Sequence, residues 1–218
     1  MKKIITSDGS PTFWNEEIQE YHHSITGAKE EAVRKFVEPC NLYERDYLVL
    51  VDVCFGLGYN TAAALDILKG KKVKIIGLEN DEKVLQLIPH VSPPFATYPF
   101  IQDCIRKGYH GKRMGWELHI LLGDAREKIK QIANNSIDCI FLDPFSPKKQ
   151  PELWTREFMR ELYRVIKSKG ILTTYSCARS VRENLKAVGF SVEDGPCVGR
   201  RGPSTVARKI SFKKFYIL

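Results

Sequence analysis

Long apolar runs are missing from this sequence: no stretch approaches the ~20 apolar residues that a membrane-spanning helix needs. The first residues include two lysines but lack the apolar segment of a signal peptide. The six cysteines form no C-x-x-C pair, which is typical of separate buried thiols rather than of a disulfide framework or a zinc site. These absences predict a cytoplasmic protein that has no membrane partner and binds no metal.

Acidic residues are absent after Asp194, although the whole chain holds 26 of them against 34 lysines and arginines. The net charge is +8, and the excess near the end comes from Arg200, Arg201, Arg208, Lys209, Lys213 and Lys214. A surplus of charge often only solvates a surface, whereas its concentration in one segment favours a polyanionic partner. We expect that partner to be nucleic acid.

The length of 218 residues suits one well-buried domain with at most a small appendage. Asp8-Gly9-Ser10 is a turn signal between two short β-prone segments and predicts a hairpin. We therefore divide the chain into an N-terminal hairpin appendage, residues 1–24, and a main domain, residues 25–218. The segment from Gly27 to Val37 predicts an amphipathic helix with Ala28, Ala32, Val33 and Phe36 along one face. From Tyr47 onward predicted strands alternate with predicted helices, among them a helix from Arg156 to Lys167, which indicates right-handed βαβ units.

The fold that this alternation predicts is α/β and Rossmann-like, with a mostly parallel seven-stranded sheet covered by helices on both faces. The predicted strands are Tyr47–Cys54, Val73–Glu79, Glu117–Leu122, Ile137–Leu142, Ile171–Tyr175, Phe190–Glu193 and Lys213–Leu218.

Asp143 stands where a predicted central strand ends. The preceding run, Ile137–Leu142, is apolar apart from Asp138, typical of a buried parallel strand, and Pro144 prevents regular pairing from continuing. In open α/β sheets, ligands bind beyond the carboxyl ends of the strands. A carboxylate followed two residues later by Phe145 suits a planar, nitrogen-bearing ligand. The alternative is that Asp143 caps a turn and Phe145 belongs to the core.

Two more strand ends carry groups suited to a nucleoside. Gly56 and Gly58 follow the first strand and let the backbone approach a ligand, but Thr61 replaces the third glycine of a dinucleotide fingerprint. Glu79 ends the second strand, where an acidic residue can accept ribose hydroxyls. Asp124, followed by Ala125, can accept an adenine amino group or cap the next helix.

These acidic strand ends, together with a glycine loop that lacks a phosphate-binding lysine, favour a nucleoside cofactor without phosphates. S-adenosylmethionine fits that description.

Several segments carry a resemblance to a known family. They are Thr6-Ser-Asp-Gly-Ser-Pro-Thr, Glu20-Tyr-His-His-Ser with Gly27-Ala28, Phe55-Gly-Leu-Gly-Tyr-Asn60, Asp143-Pro-Phe-Ser-Pro-Lys-Lys-Gln-Pro-Glu-Leu-Trp-Thr155 and Tyr175-Ser-Cys-Ala. Together they resemble the methyltransferase domain of the MnmC-type tRNA wobble-uridine enzymes. The resemblance implies a class I S-adenosylmethionine-dependent methyltransferase that modifies the aminomethyl nitrogen of a wobble uridine. The chain is too short for the flavin-dependent oxidase half of the bacterial fusion, so a stand-alone methyltransferase is implied.

The resemblance also assigns roles to residues. Asp143 would orient the acceptor amine and take its proton, while Phe145 would stack on the flipped uracil. The cofactor would contact Gly56, Gly58, Asn60, Glu79, Asp124 and Ala125. Phosphates of the anticodon stem-loop of tRNA would meet Lys148, Lys149, Arg200 and Arg201. Tyr21 and His22 would either close the cofactor pocket or form an ordinary buried pair.

Other functions compete with this one. An aminopropyl transferase of the spermidine synthase type shares a hairpin and an Asp on the fourth strand, but such an enzyme has a glycine-denser first loop and a more acidic pocket than Phe55–Asn60 suggests. Another nucleic-acid amino-methyltransferase would use the same strand ends. An RNA-binding module without catalysis would leave Asp143 and Glu79 unexplained.

Overall fold

The structure, a computed structural model, describes residues 1–44, 46–199 and 202–210. A small antiparallel sheet comes first and contains β1 (Lys2–Ile5), β2 (Pro11–Asn15) and β3 (Glu20–Tyr21) in that order. The strands of the main sheet are β4 (Tyr47–Val53), β5 (Lys72–Glu79), β6 (His110–Arg113), β7 (Trp116–Leu122), β8 (Ile137–Leu142), β9 (Ile166–Thr174), β10 (Phe190–Asp194) and β11 (Thr205–Lys209).

Helices connect these strands. They are α1 (Ala28–Glu31), α2 (Tyr59–Ile67), α3 (Glu82–Leu87), α4 (Tyr98–Arg106), α5 (Ala125–Lys128), α6 (Arg156–Val165) and α7 (Arg179–Ala187). α1 continues without a break as a π-helical stretch, Ala32–Val37, and a 3₁₀ turn, Glu38–Cys40. Short 3₁₀ turns also form at Leu42–Glu44, Ile88–His90, Ile129–Gln131 and Pro151–Trp154. No described helix has the length and apolar character needed to cross a membrane.

The main sheet has the order β10-β11-β9-β8-β4-β5-β7-β6. Strands β7, β5, β4, β8 and β9 are parallel, whereas β6, β10 and β11 pair antiparallel with their neighbours. The chain leaves β4 toward β5 on one side and later returns to β8 on the other. This reversal makes the carboxyl end of β4 the topological switch point, where open α/β sheets bind ligands.

Each face of the sheet has its own apolar core. Helices α2 and α4 and the π-helical stretch pack on one face through residues such as Ala63, Ile101 and Phe36. Helices α5, α6 and α7 cover the other face through residues such as Leu162 and Leu185. All six residues of β8 are buried, as a central parallel strand requires. Asp138, within β8, accepts from the Val49 amide and the Lys167 ammonium at 2.8 Å each.

The predicted α/β fold is confirmed, and the described residues place eight strands in the main sheet where seven were predicted. β6 was not predicted because His110–Arg113 is a polar edge strand that carries no apolar alternation. The predicted terminal strand Lys213–Leu218 lies outside the described residues, and β11, at Thr205–Lys209, pairs between β9 and β10. The predicted helix through Lys167 ends at Val165 because β9 begins at Ile166.

The small N-terminal sheet is tied to the main body by specific hydrogen bonds. The Asp8 carboxylate accepts the Lys29 and Glu30 amides at 2.8 and 3.0 Å, so it satisfies the first free N–H groups of α1. Although burial opposes it, hydrogen bonding from Thr6, Glu30 and Ser10 lowers the pKa of Asp8 to about 2. This anchoring brings the residues after β3 over the carboxyl end of β4.

Candidate active site

A cavity of about 840 Å³ lies beyond the carboxyl ends of β4, β5 and β8. Its floor includes Cys54, Gly56, Glu79 and Asp143, and residues 15–25 of the N-terminal segment supply much of its opposite wall. Such a volume suits a cofactor together with part of a second substrate. The strand ends that the sequence singled out therefore share one crevice.

Glu79 is held rigidly at the end of β5. Its Oε2 accepts the Gly56 amide at 2.8 Å, and its Oε1 accepts the Asn80 and Asp81 amides at 2.9 Å each. A carboxylate offers about four acceptor positions, so three backbone donors leave room for a further donor from a ligand. Burial raises the pKa of Glu79 although these three hydrogen bonds act in the opposite direction.

Asp143 follows β8 directly, and its amide donates to the Val53 carbonyl at 3.1 Å. Its Oδ2 accepts the Asn60 side-chain amide at 2.9 Å. Burial raises the pKa of Asp143 well above its ordinary value, and the neighbouring Glu31 carboxylate raises it further. The Asn60 hydrogen bond and the Lys35 charge oppose this shift. Asp143 is therefore a carboxyl group of unusually high basicity, facing a cavity.

The loop after Asp143 is held by side chains that bind its backbone. The Pro144 carbonyl accepts the Tyr175 hydroxyl at 2.9 Å, and the Phe145 carbonyl accepts the Trp154 indole N–H at 2.8 Å. The Phe145 amide donates to Gln150 Oε1 at 3.1 Å. These bonds place the partly exposed Phe145 ring on the cavity wall. The alternative interpretation required Phe145 to belong to the core, but the ring is half-buried and lines the cavity.

A smaller pocket of about 110 Å³ adjoins the cavity and shares Cys54, Glu79 and Asn80 with it. Asp124 and Ala125 line this pocket. Asp124 also accepts the Arg126 amide at 2.8 Å, so it caps α5 as well as facing the pocket. Hydrogen bonding from Arg126 lowers the pKa of Asp124.

Four further residues with predicted roles, Gly58, Asn60, Lys148 and Lys149, are not among the described residues that line the cavity or the smaller pocket. Gly58 has φ 74°, and a Cβ there would lie 2.8 Å from the Phe55 ring, so this glycine serves the turn and its packing. Asn60 contacts Asp143 rather than the cavity. Lys148 and Lys149 are exposed, and the Nζ atom of Lys149 lies 3.5 Å from Gln19 Oε1. Arg200 and Arg201 lie outside the described residues.

Tyr21 and His22 both line the cavity. Tyr21 is 37% exposed, so the two do not form a buried pair. The His22 ring lies 5.2 Å from the Phe145 ring, and its Nε2 is buried without a hydrogen-bond partner among the described residues. Burial lowers the pKa of His22 to about 4, so the ring is neutral at pH 7.

The cavity wall is strongly acidic, contrary to the expectation that Phe55–Asn60 gave for the pocket. The acidic lining residues are Glu16, Glu17, Glu20, Glu31, Glu79, Asp81 and Asp143. Only two lysines, Lys35 and Lys83, lie among the described lining residues. Although the whole chain is basic, acidic side chains surround its cavity. This acidic lining favours cationic ligands.

Sequence reasoning missed Glu20, Glu31 and Lys35. Glu20, in β3, accepts the Ser146 amide at 3.0 Å and also the Ser146 hydroxyl, so it joins the N-terminal sheet to the loop after Asp143. Glu31 and Lys35 stand four residues apart, beside the apolar face predicted for the helix from Gly27 to Val37. Opposite charges four residues apart at the edge of an apolar face were the signal that could have identified them.

A family model described as S-adenosyl-L-methionine-dependent methyltransferase matches residues 95–210. An uncharacterised protein of Methanocaldococcus jannaschii is 33% identical over 213 residues, which cover 94% of this chain and 59% of the relative. The tRNA 5-methylaminomethyl-2-thiouridine biosynthesis bifunctional protein MnmC of Azoarcus sp. (strain BH72) is 29% identical, with 88% of this chain and 33% of the relative covered. The chain thus spans about three-fifths of the first relative and a third of the second.

Among solved structures, MnmC2 from Aquifex aeolicus matches with a TM-score of 0.80 and 34% identity, covering 94% of this chain and 69% of that one. Spermidine synthase from Thermotoga maritima matches with a TM-score of 0.60 and 13% identity, over 96% and 72% of the two chains. The second likeness shows a shared fold alone.

Proposed function

The chain belongs to the S-adenosyl-L-methionine-dependent methyltransferase family, and we propose that it methylates the aminomethyl nitrogen of a 5-aminomethyluridine, with or without a 2-thio group, at the wobble position of tRNA. The observation that carries this proposal is Asp143: a carboxyl of raised pKa stands beside an acidic cavity at the switch point of the sheet. The likeness to MnmC proteins, whose names specify tRNA 5-methylaminomethyl-2-thiouridine biosynthesis, supports the same acceptor.

The residues at the strand ends fit the cofactor. Glu79 keeps acceptor capacity for ribose hydroxyls, and the adjoining pocket with Asp124 and Ala125 suits a purine. The acidic wall suits the positive charge on the cofactor's sulfur. Bound S-adenosylmethionine supplies an electrophilic methyl group for transfer to nitrogen.

The protein must make the acceptor amine nucleophilic. A primary alkylamine has a pKa near that of lysine, ~10.4, so only about one molecule in a few thousand is neutral at pH 7. Asp143 can hold the ammonium and accept a proton from it, which leaves the lone pair free. The raised pKa of Asp143 favours this transfer, because a more basic carboxylate competes better for the amine's proton.

The acceptor base must leave its stack to reach the cavity. The Phe145 ring stands on the wall beside His22, where a flipped uracil can stack on it, and such stacking contributes roughly 1–3 kcal/mol per base. The hydrogen-bonded loop around Phe145 keeps the ring in place before the base arrives. Phosphates of the anticodon stem-loop would contact lysines outside the acidic cavity, such as Lys148 and Lys149.

One alternative gains support from the structure. The acidic cavity also suits a polyamine, which an aminopropyl transferase would bind. The two activities differ in their donor, because the aminopropyl transferase uses decarboxylated S-adenosylmethionine.

An acceptor assay tests the proposal. The purified chain is incubated with either donor and with an anticodon stem-loop RNA that carries 5-aminomethyluridine or plain uridine. We expect nucleoside mass spectrometry to show one methyl group, added only with S-adenosylmethionine and only to the aminomethyl RNA. Transfer of an aminopropyl group to putrescine, or methylation of plain uridine, would contradict the proposal.

A further inference from the structure

Two side chains on the cavity wall form a buried ion pair. Lys35 Nζ lies 2.5 Å from Glu31 Oε1, and the two side chains are only 2% and 15% exposed. Glu31 Oε2 also accepts the Ser24 amide at 3.1 Å. Both residues line the cavity that contains Asp143. The free energy needed to remove two charges from water can exceed the attraction gained by pairing them. Stabilisation of the fold alone therefore does not account for the burial of this pair.

The backbone around the pair is unusual. The α-helical turns end at Glu31 and a π-helical stretch begins at Ala32, carrying Lys35. π-helical turns inside helices are frequent at functional sites because they redirect side chains. Here the stretch keeps a fully buried lysine at the cavity wall.

The pair also acts electrostatically on Asp143. The groups that face Asp143 come from several elements: Glu31 and Lys35 from the helical segment, Asn60 from α2, and Asp52 and Cys54 from β4 and its end. Among the charged ones, Glu31 raises the pKa of Asp143 and Lys35 lowers it, with Glu31 the stronger. The net influence of the pair therefore makes Asp143 more basic.

We propose that Glu31 and Lys35 are positioning residues of the acceptor site, where the Glu31 carboxylate promotes proton transfer from the acceptor ammonium to Asp143 and Lys35 holds that carboxylate in place. This inference rests on the proposed function. The proton moves from the ammonium nitrogen to an Asp143 oxygen, and the N–H electron pair remains on nitrogen as the lone pair. With S-adenosylmethionine bound, that lone pair would form the new N–C bond while the methyl C–S bond breaks and its electron pair stays on sulfur, and Asp143 would later release the proton to water.

The chain contains a matched control one residue away. Glu30 and Arg34 form an ion pair with the same spacing on the same helix, with N–O at 3.2 Å, but their side chains are 50% and 49% exposed. Glu30 is not among the described residues that line the cavity. Glu30→Gln therefore removes an equivalent charge from the helix without touching the site.

The test is the pH dependence of single-turnover methylation, with cofactor and 5-aminomethyluridine RNA saturating. Glu31→Gln should move the acid limb to lower pH by about one unit and lower the plateau rate about tenfold, because Asp143 becomes a weaker base. Glu30→Gln should leave both unchanged. A lower rate with an unmoved acid limb in Glu31→Gln would show a structural role only and overturn the inference.

A second variant and an NMR titration of Asp143 test the same inference by other routes. If Glu31→Gln does not fold, Lys35→Met should move the acid limb to higher pH, and an unmoved limb overturns the inference. Carboxyl-carbon NMR of the free protein, with Asp143→Asn to assign the signal, should show a lower Asp143 titration midpoint in Glu31→Gln. This midpoint needs no acceptor, so failure of the proposed acceptor is distinguishable from failure of the ion-pair inference.

Discussion

Three carboxyl groups with raised pKa values stand at adjacent strands of the sheet. Asp52 lies in β4, Glu79 ends β5 and Asp143 follows β8, and burial is the largest cause of the shift in each. Desolvation disfavours the charged form of a carboxyl, and two of the three, Glu79 and Asp143, line the cavity, which favours a functional site there. At the scale of residues, the chemistry depends on these shifts.

Glu79 should matter most for the cofactor. Glu79→Ala removes the proposed ribose acceptor and leaves three backbone amides without their carboxylate, so we expect at least a tenfold weaker S-adenosylmethionine Kd and a lower Tm. Calorimetry and thermal unfolding measure the two effects. Glu82→Ala, at the first residue of α3 and not among the described residues that line the cavity, serves as the control. An unchanged Kd in Glu79→Ala would contradict the cofactor assignment.

The raised pKa of Asp52 predicts how the free energy of unfolding depends on pH. Burial raises its pKa to about 8 despite the Thr61 hydroxyl, which donates to it at 2.7 Å. Between the unfolded value near 3.8 and about 8, the folded state binds more protons than the unfolded state, so Asp52 makes stability fall as pH rises. Asp52→Asn should therefore lessen that fall by up to about 1.4 kcal/mol per pH unit.

Urea unfolding at pH 5, 6 and 7 measures this effect. The exposed Asp46, replaced by Asn, provides a control in which the slope should match the wild type. Equal slopes in Asp52→Asn and wild type would show that Asp52 ionises normally in the folded protein.

At the scale of elements, the alternation of strands and helices and the positions of the central strand ends could be predicted from the sequence. The short strands outside that alternation could not. Buried runs such as Ile137–Leu142 indicate their strands directly, and the strand-end rule brings Glu79 and Asp143 together. The two-residue strand Glu20–Tyr21 and the polar strand His110–Arg113 carry no such periodicity. They depend on pairing with distant segments, which local sequence does not encode.

The π-helical stretch explains the main omission in the site. Helical periodicity predicted a continuous helix through Val37, and it gave Glu31 and Lys35 no reason to face a cavity. The acidic wall was missed for a related reason, since its residues come from β3, the first helix and three strand ends. Only the fold brings these separate carboxylates into one place.

At the scale of the whole molecule, charge is divided between two environments. The chain carries a net +8, yet acidic side chains outnumber lysines and arginines among the described residues that line its cavity. A tRNA substrate can satisfy both, with its phosphates on the basic surface and a cationic aminomethyl group inside. In the described part of the basic tail, Arg208 pairs with Glu193 and Lys209 donates to the Tyr163 and Ile166 carbonyls, so these two serve the fold.

Arg200 and Arg201 remain predicted phosphate-binding residues from the sequence. If both bind phosphates, replacing both by Ala should make the slope of log K against log salt shallower by ~0.7 to 0.9 for each phosphate that is no longer neutralised. Filter binding of the stem-loop RNA at several salt concentrations measures the slope, and cofactor affinity should stay unchanged. Equal slopes in variant and wild type would remove these arginines from the RNA interface.

Asp143→Asn tests the central claim most directly, through single-turnover methylation of 5-aminomethyluridine RNA measured beside cofactor affinity. The Asn side chain can still accept the Asn60 amide that Asp143 receives at 2.9 Å, so the site should stay intact. We predict a cofactor Kd within about twofold of wild type and a methylation rate about 100-fold lower, the scale of general-base loss. Methylation at the wild-type rate would contradict the account and leave Asp143 as a turn residue.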